Sequence, residues 1–239
     1  MITYEIYGNP KNPILCLLPG AGLGIWAYKQ LIPLLTKKFC IIFPNILTNF
    51  TDMNNAVQQL HDLIIHKQWR IQLLAGLSIG SQIALKLVAT YPCICSNLLL
   101  ESCAVFPQKF SNLIKPITNF NFPLTRYTLF NKLQAKVLHL PKNEYQCYDQ
   151  EIKKMSKQTL INMLISNTHF DIKNLKPISF QGKTLVVYGT KENKLIIKSS
   201  YYLSKKFKNV KLISLKNYYH GDLTLNHPTK FLEIVKENL

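Results

Sequence analysis

Short apolar runs alternate with segments of helical periodicity along most of this chain, and this alternation restricts the fold more than any other feature. Seven runs have strand character, at residues 3–7, 14–18, 40–43, 71–76, 97–101, 184–188 and 211–215. Each is far shorter than the roughly 20 apolar residues that cross a membrane. Strands separated by helices pair as a parallel sheet whose faces the helices cover. The pattern therefore predicts an α/β fold, a mostly parallel twisted sheet with helices on both faces.

Helical segments are predicted where apolar residues recur at a spacing of three to four. Three of them occupy residues 53–67, 81–91 and 194–207, and a fourth begins at Pro228, because proline suits the first turn of a helix. Asp52 directly precedes the first of these helices, where a carboxylate can accept hydrogen bonds from unpaired amides. We therefore expect Asp52 to be an N-cap.

Residues 105–179 interrupt this rhythm. No strand-like run recurs there, and five prolines separate aromatic-rich segments that are compatible with helices. A stretch of this length inside a compact domain is usually functional, commonly as a lid, and the alternative is a purely structural cap. The sequence predicts one domain over residues 1–239, with residues 105–179 as a helical lid insertion.

The composition suits a folded protein and favours some partners over others. Apolar residues make up 47% of the 239 residues and charged residues 17%, while the net charge is +17. The positive charges are scattered lysines, with Arg70 and Arg126 as the only arginines, and no nucleic-acid-binding module is recognisable. We expect no binding to nucleic acid, but weak association with an anionic membrane surface would suit this charge. The first residues resemble no secretion signal, so we expect a cytoplasmic protein.

A glycine–serine motif follows the fourth predicted strand. It reads Gly76-Leu77-Ser78-Ile79-Gly80 and precedes a predicted helix. A serine at the apex of a tight strand-to-helix turn points outward, and glycine on either side keeps side chains out of that turn. The motif alone also fits an ordinary turn, but the strand before it and the helix after it favour a nucleophilic serine.

With this motif in place, the chain resembles the α/β-hydrolase superfamily, in its serine-hydrolase branch, over most of its length outside the insertion. The resemblance implies a nucleophile, an acid and a histidine in that order along the chain. It assigns these roles to Ser78, Glu192 and His220. In this triad the acid fixes the tautomer of the histidine, which takes the proton of the serine.

The positions of the acid and the histidine follow from the strands before them. Glu192 ends a strand–glycine–x–x–acid pattern in which the family more often has aspartate, and His220 lies on the loop after the last strand. Asp171, which precedes its strand, is the alternative acid, and His227 is the alternative histidine. Glu192 also suits a second role, that of an N-terminal acid on the helix after Lys194.

The resemblance further implies two backbone amides that stabilise an oxyanion. One belongs to Ile79, directly after the nucleophile, and the other to Ala21, in the loop Pro19-Gly20-Ala21-Gly22. Many members of the family have histidine–glycine where this chain has Pro19-Gly20. Since the donor is a backbone N–H group, this substitution does not remove it.

These features together predict a serine hydrolase that cleaves a small carboxylic ester or thioester through an acyl-enzyme, without a cofactor or a metal ion. Amidase, peptidase and carbon–carbon bond hydrolase or lyase chemistry occur on similar chains and stay open. A ligand-binding protein without catalysis is the alternative from another functional class.

Overall fold

A seven-stranded sheet forms the centre of the computed structural model, which describes residues 2–109 and 111–238. The strands are β1 (Tyr4–Tyr7), β2 (Ile14–Leu18), β3 (Cys40–Pro44), β4 (Ile71–Leu77), β5 (Cys95–Glu101), β6 (Lys183–Gly189) and β7 (Val210–Leu215). They lie in the order β1-β3-β2-β4-β5-β6-β7. β1 pairs with β3 in antiparallel orientation, and every other pair is parallel. The predicted fold class is therefore confirmed.

Ten α-helices lie within the described residues. They are α1 (Ile32–Leu35), α2 (Met53–His66), α3 (Ile79–Thr90), α4 (Ile114–Asn121), α5 (Thr128–Val137), α6 (Tyr145–Lys154), α7 (Lys157–Thr168), α8 (Lys194–Leu203), α9 (Asp222–Asn226) and α10 (Pro228–Asn238). Asp52 caps α2 as predicted, accepting hydrogen bonds from the amides of Asn54 and Asn55. The helix after the glycine–serine motif begins two residues earlier than predicted, immediately after Ser78.

Both faces of the sheet are buried, because alternate side chains of its strands point to opposite sides. On one face, Cys16, Leu74 and Leu98 pack with residues of α2 and α3. On the other face, Leu15, Leu73 and Leu99 pack with residues of α1 and α10. Central strands buried on both sides need the nearly continuous apolar runs by which they were predicted.

The segment between β5 and β6 is helical, as predicted, and contains α4 to α7. Two short 3₁₀ turns lie between these helices, at Phe122–Arg126 and Lys142–Glu144, and two others lie at the ends of the segment, at Ser111–Leu113 and Ile172–Asn174. α5 packs against α6 and α4 against α7. In residues 2–109 and 111–238, no helix is both long enough and apolar enough to cross a membrane.

Candidate active site

Ser78 occupies the turn between β4 and α3, where its backbone has φ +55° and ψ −116°. A positive φ is uncommon for a residue with a side chain and costs about 1–3 kcal/mol, which the surrounding structure must supply. The amide of Ser78 donates to the carbonyl oxygen of Glu101, at the end of β5, over 3.0 Å. This turn leaves the serine side chain partly exposed at the carboxyl end of the sheet.

The glycines on either side of Ser78 allow a very close approach of backbones. A Cβ atom at Gly76 would lie 2.5 Å from the carbonyl group of Gly80, and one at Gly80 would lie 2.3 Å from the carbonyl oxygen of Leu18. Carbon atoms do not approach oxygen this closely, so only glycine fits at either position. The start of α3 therefore packs directly against the end of β2.

Glu192 and His220 form a hydrogen-bonded pair, although 28 positions separate them in the chain. Nδ1 of His220 lies 2.9 Å from Oε2 of Glu192, and the carboxylate side chain is 1% exposed against 42% for the imidazole. The other carboxylate oxygen, Oε1, accepts from the amide of Gly189 over 2.9 Å. The acid is thus buried and fixed, while the imidazole it orients reaches solvent.

The alternative assignments do not reach this pair. The carboxylate of Asp171 accepts from the amide of Lys173 in a local turn, and the ring of His227 packs on Tyr218. Asn193, rather than Glu192, caps α8, by accepting from an amide in its first turn. Glu192 directly precedes this cap, and its alternative role as an acid stabilised by the dipole of the helix stays a prediction.

Two residues that were not predicted connect the nucleophile turn to the histidine loop. The hydroxyl of Ser102 donates to Oε1 of Glu192 over 2.9 Å and accepts from the amide of Gly221 over 3.1 Å. Oε1 of the buried Glu101 accepts from the amide of Leu223, in the first turn of α9, over 3.1 Å. Glu101 ends β5 and Ser102 directly follows it, and β5 lies between β4, which leads to the serine, and β6, which leads to the acid. An acid–serine pair at that end of a central strand is the signal that could have revealed them.

The nucleophile turn, the histidine loop and the loop of Ala21 meet around Leu77, which directly precedes Ser78. A Cβ atom at Gly221, next to His220, would lie 3.2 Å from Cδ1 of Leu77, and one at Gly20 would lie 3.4 Å from its Cγ. Within residues 2–109 and 111–238, no hydrogen bond joins the Ser78 hydroxyl to the imidazole of His220. Such bonds are often long before a substrate binds. Glu192 and His220 are thus paired, and the serine lies on the adjacent turn.

The two amides predicted to stabilise an oxyanion lie on neighbouring segments. Ile79 is the first residue of α3, and amides at that position have no acceptor within the helix. Ala21 lies in a turn closed by a hydrogen bond of 3.1 Å from the amide of Leu23 to the carbonyl oxygen of Gly20. That turn continues from the end of β2, against which α3 packs. The assignment of both amides to an oxyanion hole stays a prediction.

The helical segment between β5 and β6 packs against part of this region. A Cβ atom at Gly22 would lie 3.1 Å from Cδ1 of Ile152 and 3.4 Å from Cε2 of Tyr148, both on α6. Leu77 belongs to the same apolar cluster as these two side chains. Beyond α5, the ring of His139 stacks on Tyr219, with their centroids 3.9 Å apart. The segment therefore contacts both the Ala21 turn and the histidine loop.

A small pocket opens beside the Ala21 turn, between that turn and α6. Its volume is about 70 Å³, and Gly22 forms part of its wall. Asn45, Thr48, Glu151 and Lys154 give it polar groups. The pocket can hold a small group with hydrogen-bonding atoms next to the candidate oxyanion site.

Glu101 is a second buried carboxyl near the Glu192–His220 pair. The pKa of Glu101 is raised to about 7, chiefly by burial and to a smaller extent by the negative charge of Glu192, although hydrogen bonds from Thr224 and the charge of His220 act in the opposite direction. The shift makes stability depend on pH. Between the unfolded pKa of 4.5 and the folded pKa of about 7, the folded chain binds more protons than the unfolded chain. Stability from this group is complete below about pH 4.5 and falls as pH rises through about 7.

We predict that Glu101→Gln removes this pH dependence. The glutamine oxygen still accepts from the α9 amides and Thr224 can accept from the new amide, but no charge forms at high pH. From about pH 5 to about pH 8, the free energy of unfolding of the wild type should fall by about 3 kcal/mol relative to that of the variant. Urea unfolding of both proteins across this range measures the difference. Parallel curves for the two proteins would contradict a raised pKa at Glu101.

Comparison with known proteins agrees with this geometry at the level of the fold. No family model matches the sequence, and no curated protein sequence is significantly similar to it. Solved structures do match. An esterase from Exiguobacterium antarcticum superposes with a TM-score of 0.81 at 17% identity, over 99% of this chain and 94% of that one. An enol-lactonase from Burkholderia xenovorans has a TM-score of 0.78 at 14% identity, over 99% and 95%.

A third similar structure is a 2-hydroxy-6-oxo-6-phenylhexa-2,4-dienoate hydrolase from Rhodococcus. Its TM-score is 0.75 at 15% identity, over 99% of this chain and 98% of the other. Another is described as a putative alpha/beta hydrolase family protein from Desulfitobacterium hafniense, with a TM-score of 0.75 at 14% identity, over 98% and 99%. Identities this low establish a shared fold, and they leave the reaction to be argued from the site.

Proposed function

Because the chain has the α/β-hydrolase fold, we propose that it is a serine hydrolase that cleaves small carboxylic esters or thioesters. The observation that carries the proposal is the hydrogen bond between Glu192 and His220, at the same end of the sheet as Ser78. A buried carboxylate bonded to Nδ1 leaves Nε2 of the imidazole free to accept a proton. The strained backbone of Ser78 and its partial exposure suit a nucleophile.

In the proposed reaction, Nε2 of His220 takes the proton of the Ser78 hydroxyl as the serine oxygen attacks the acyl carbonyl carbon. The amides of Ala21 and Ile79 donate to the resulting oxyanion, and each such donor contributes about 3–4 kcal/mol to the transition state. The alcohol or thiol leaves with the proton of the imidazolium. His220 then takes a proton from water, whose oxygen attacks the acyl-enzyme, and the acid departs as Ser78 regains its proton.

We propose that residues 105–179 act as a lid over this site. Support comes from α6, whose Tyr148 and Ile152 lie against the turn of Ala21. Apolar side chains from α5 and α6 also surround Leu77, beside the nucleophile. A cover in this position would exclude water and bind the acyl group of the substrate.

A second candidate is hydrolysis of another bond on the same triad. Structures similar to this chain include an enol-lactonase and a dienoate hydrolase, so lactones and dienoates belong among the substrates tested. Amide cleavage uses the same nucleophile and base. A non-catalytic binding protein would keep the fold without using the serine.

The experiment combines active-site labelling with a substrate panel. The folded protein is treated with a fluorophosphonate, and the modified peptide is identified by mass spectrometry. Turnover is then measured on p-nitrophenyl esters and acyl thioesters of graded chain length, a lactone, a dienoate and an anilide. We expect an adduct on Ser78 and the highest kcat/KM on a short ester or thioester. Absence of labelling and of turnover would point to the binding protein, and preference for another bond would identify the second candidate.

A further inference from the structure

The outer side of the helical segment exposes apolar side chains to solvent. Nine of the 13 exposed large hydrophobic side chains of the described residues lie between Leu113 and Leu138. Phe120, Leu129 and Val137 are 83%, 73% and 76% exposed. Exposed apolar residues scattered singly are ordinary, but a concentration of this kind marks an interaction surface. We call it the outer apolar surface and define it by Leu113, Ile117, Phe120, Leu129, Leu133 and Val137.

Helical geometry explains how α5 presents this surface. Leu129, Leu133 and Val137 are spaced four apart and form one stripe along the helix. Asn131 and Ala135 are buried. Each lies midway between two stripe residues in the sequence, two positions from either, which is a rotation of about 200° around the helix axis. The apolar stripe is therefore opposite the face that packs into the protein. The helix is amphipathic with an apolar side turned outward.

The preceding helix, α4, has the same arrangement. Leu113, Ile117 and Phe120 follow the spacing i, i+4, i+7 and are all exposed, while Thr118 is buried. A 3₁₀ turn at Phe122–Arg126 contacts both α4 and α5. The two exposed stripes thus belong to consecutive elements that touch through one connection.

The chain segment that carries the outer apolar surface has only positive charges of its own, and Asp149 of α6, the carboxylate that bonds to Asn131 of α5, is buried and paired with Lys153. Residues 102–143 contain no aspartate or glutamate, but they contain five lysines and one arginine. Lys115 on α4 and Lys132 and Lys136 on α5 are exposed. On α5 each of these lysines directly precedes a stripe residue, from which it is turned by about 100° around the helix axis, so both lie on the same side of the stripe. An apolar stripe flanked by lysines is the arrangement by which helices lie in the interface of an anionic bilayer.

We propose that the outer apolar surface docks on an anionic lipid bilayer. The apolar side chains enter the boundary between headgroups and acyl chains, and the flanking lysines pair with lipid phosphates. The net charge of +17 strengthens this attraction at a distance. Because α5 packs through Ala135 into the cluster that contains Leu77, a docked chain would hold this segment between the bilayer and the candidate active site.

Charge favours the bilayer over a second copy of this chain. In a two-fold symmetric dimer the same patch faces itself. The six cations of residues 102–143 would then meet six identical cations, and no carboxylate within these residues could neutralise them. Anionic lipid supplies both the negative charge and an apolar phase, so it matches the two components of the surface.

The proposal is tested by vesicle flotation of the full chain. One set of vesicles is phosphatidylcholine, and the other is an equal mixture of phosphatidylcholine and phosphatidylglycerol. We expect the wild type to bind the mixed vesicles and not the neutral ones, and to bind less at about 1 M salt than at about 0.1 M. L129Q/L133Q/V137Q should weaken binding at least about tenfold, and K115Q/K132Q/K136Q should weaken it about a hundredfold.

Two control variants make equal changes elsewhere. I6Q/I65Q/Y201Q replaces three exposed apolar residues outside the surface, and K205Q/K206Q/K208Q removes the same three charges from another exposed region. Each should weaken binding less than about threefold. Circular dichroism and the midpoint of urea unfolding show that every variant is folded.

Three outcomes would overturn the proposal. The first is a wild type that binds neither set of vesicles. The second is a control variant that loses as much binding as the variant with equal changes in the outer apolar surface. Binding would then depend on total charge or apolar area and not on this surface. The third is a dimer in analytical ultracentrifugation that L129Q/L133Q/V137Q converts to a monomer, which would identify a second copy as the occupant. These readouts do not involve turnover, so they are independent of the catalytic proposal.

Discussion

Ser78→Ala is expected to lower kcat on the best ester of the panel by about 10⁶-fold and to abolish fluorophosphonate labelling. The alanine side chain has no oxygen to attack the carbonyl carbon, while the Ala21 and Ile79 amides are unchanged. Residual turnover about 10³–10⁴ times faster than in water should persist, because oxyanion stabilisation and substrate binding do not need the serine. Steady-state and single-turnover kinetics on purified protein measure both quantities.

The matched control for this prediction is Ser214→Ala, which removes a hydroxyl from an exposed position on β7. Its kcat should equal that of the wild type. Circular dichroism and urea unfolding establish that both variants are folded. If Ser78→Ala hydrolyses the same esters at the wild-type rate, Ser78 is not the nucleophile.

Glu192→Gln should lower kcat by about 10⁴-fold and leave KM almost unchanged. The glutamine oxygen can accept the hydrogen bonds of Ser102 and Gly189, but its NH₂ group faces Nδ1 of His220, which must then accept. The imidazole would carry its proton on Nε2, the nitrogen that has to take the proton of Ser78. A wrong tautomer of this kind accounts for an effect of this size in another serine hydrolase.

Asp171→Asn serves as the control for the acid, because Asp171 is the alternative candidate in the sequence and its carboxylate caps a local turn. We expect its kcat to change less than about threefold. A large loss in Asp171→Asn with little change in Glu192→Gln would exchange the two assignments. Rates are measured over a range of pH, so that a change in the pKa of the catalytic base is not mistaken for the loss of its function.

Much of the candidate site could be predicted because it depends on local patterns. Ser78 lies between two glycines after a buried strand, and Glu192 and His220 each follow a recognisable strand. Glu101 and Ser102 could not be predicted in this way. Their partners lie about 90 to 120 positions away in the chain, and no local spacing indicates such contacts. They become visible only when β5 is placed between β4 and β6.

The outer apolar surface shows a similar limit. Residues 113–138 have helix-compatible apolar spacing, which in most globular proteins marks a buried face. The sequence does not reveal which side of each helix faces the protein. In the structure, small or polar residues such as Ala135 and Asn131 are buried, and the leucines of α5 are exposed.

The sequence by itself determined the seven strands, four of the helices that flank the sheet and, through the resemblance to the α/β-hydrolase superfamily, the three candidate catalytic residues. Each of these depends on periodicity, on glycine in a tight turn or on the order of motifs along the chain, which are local properties. Only the tertiary structure decided which carboxylate pairs with His220, what holds the histidine loop and which side of the insertion faces solvent. These depend on contacts between residues far apart in the chain, and the packing of the whole sheet determines them.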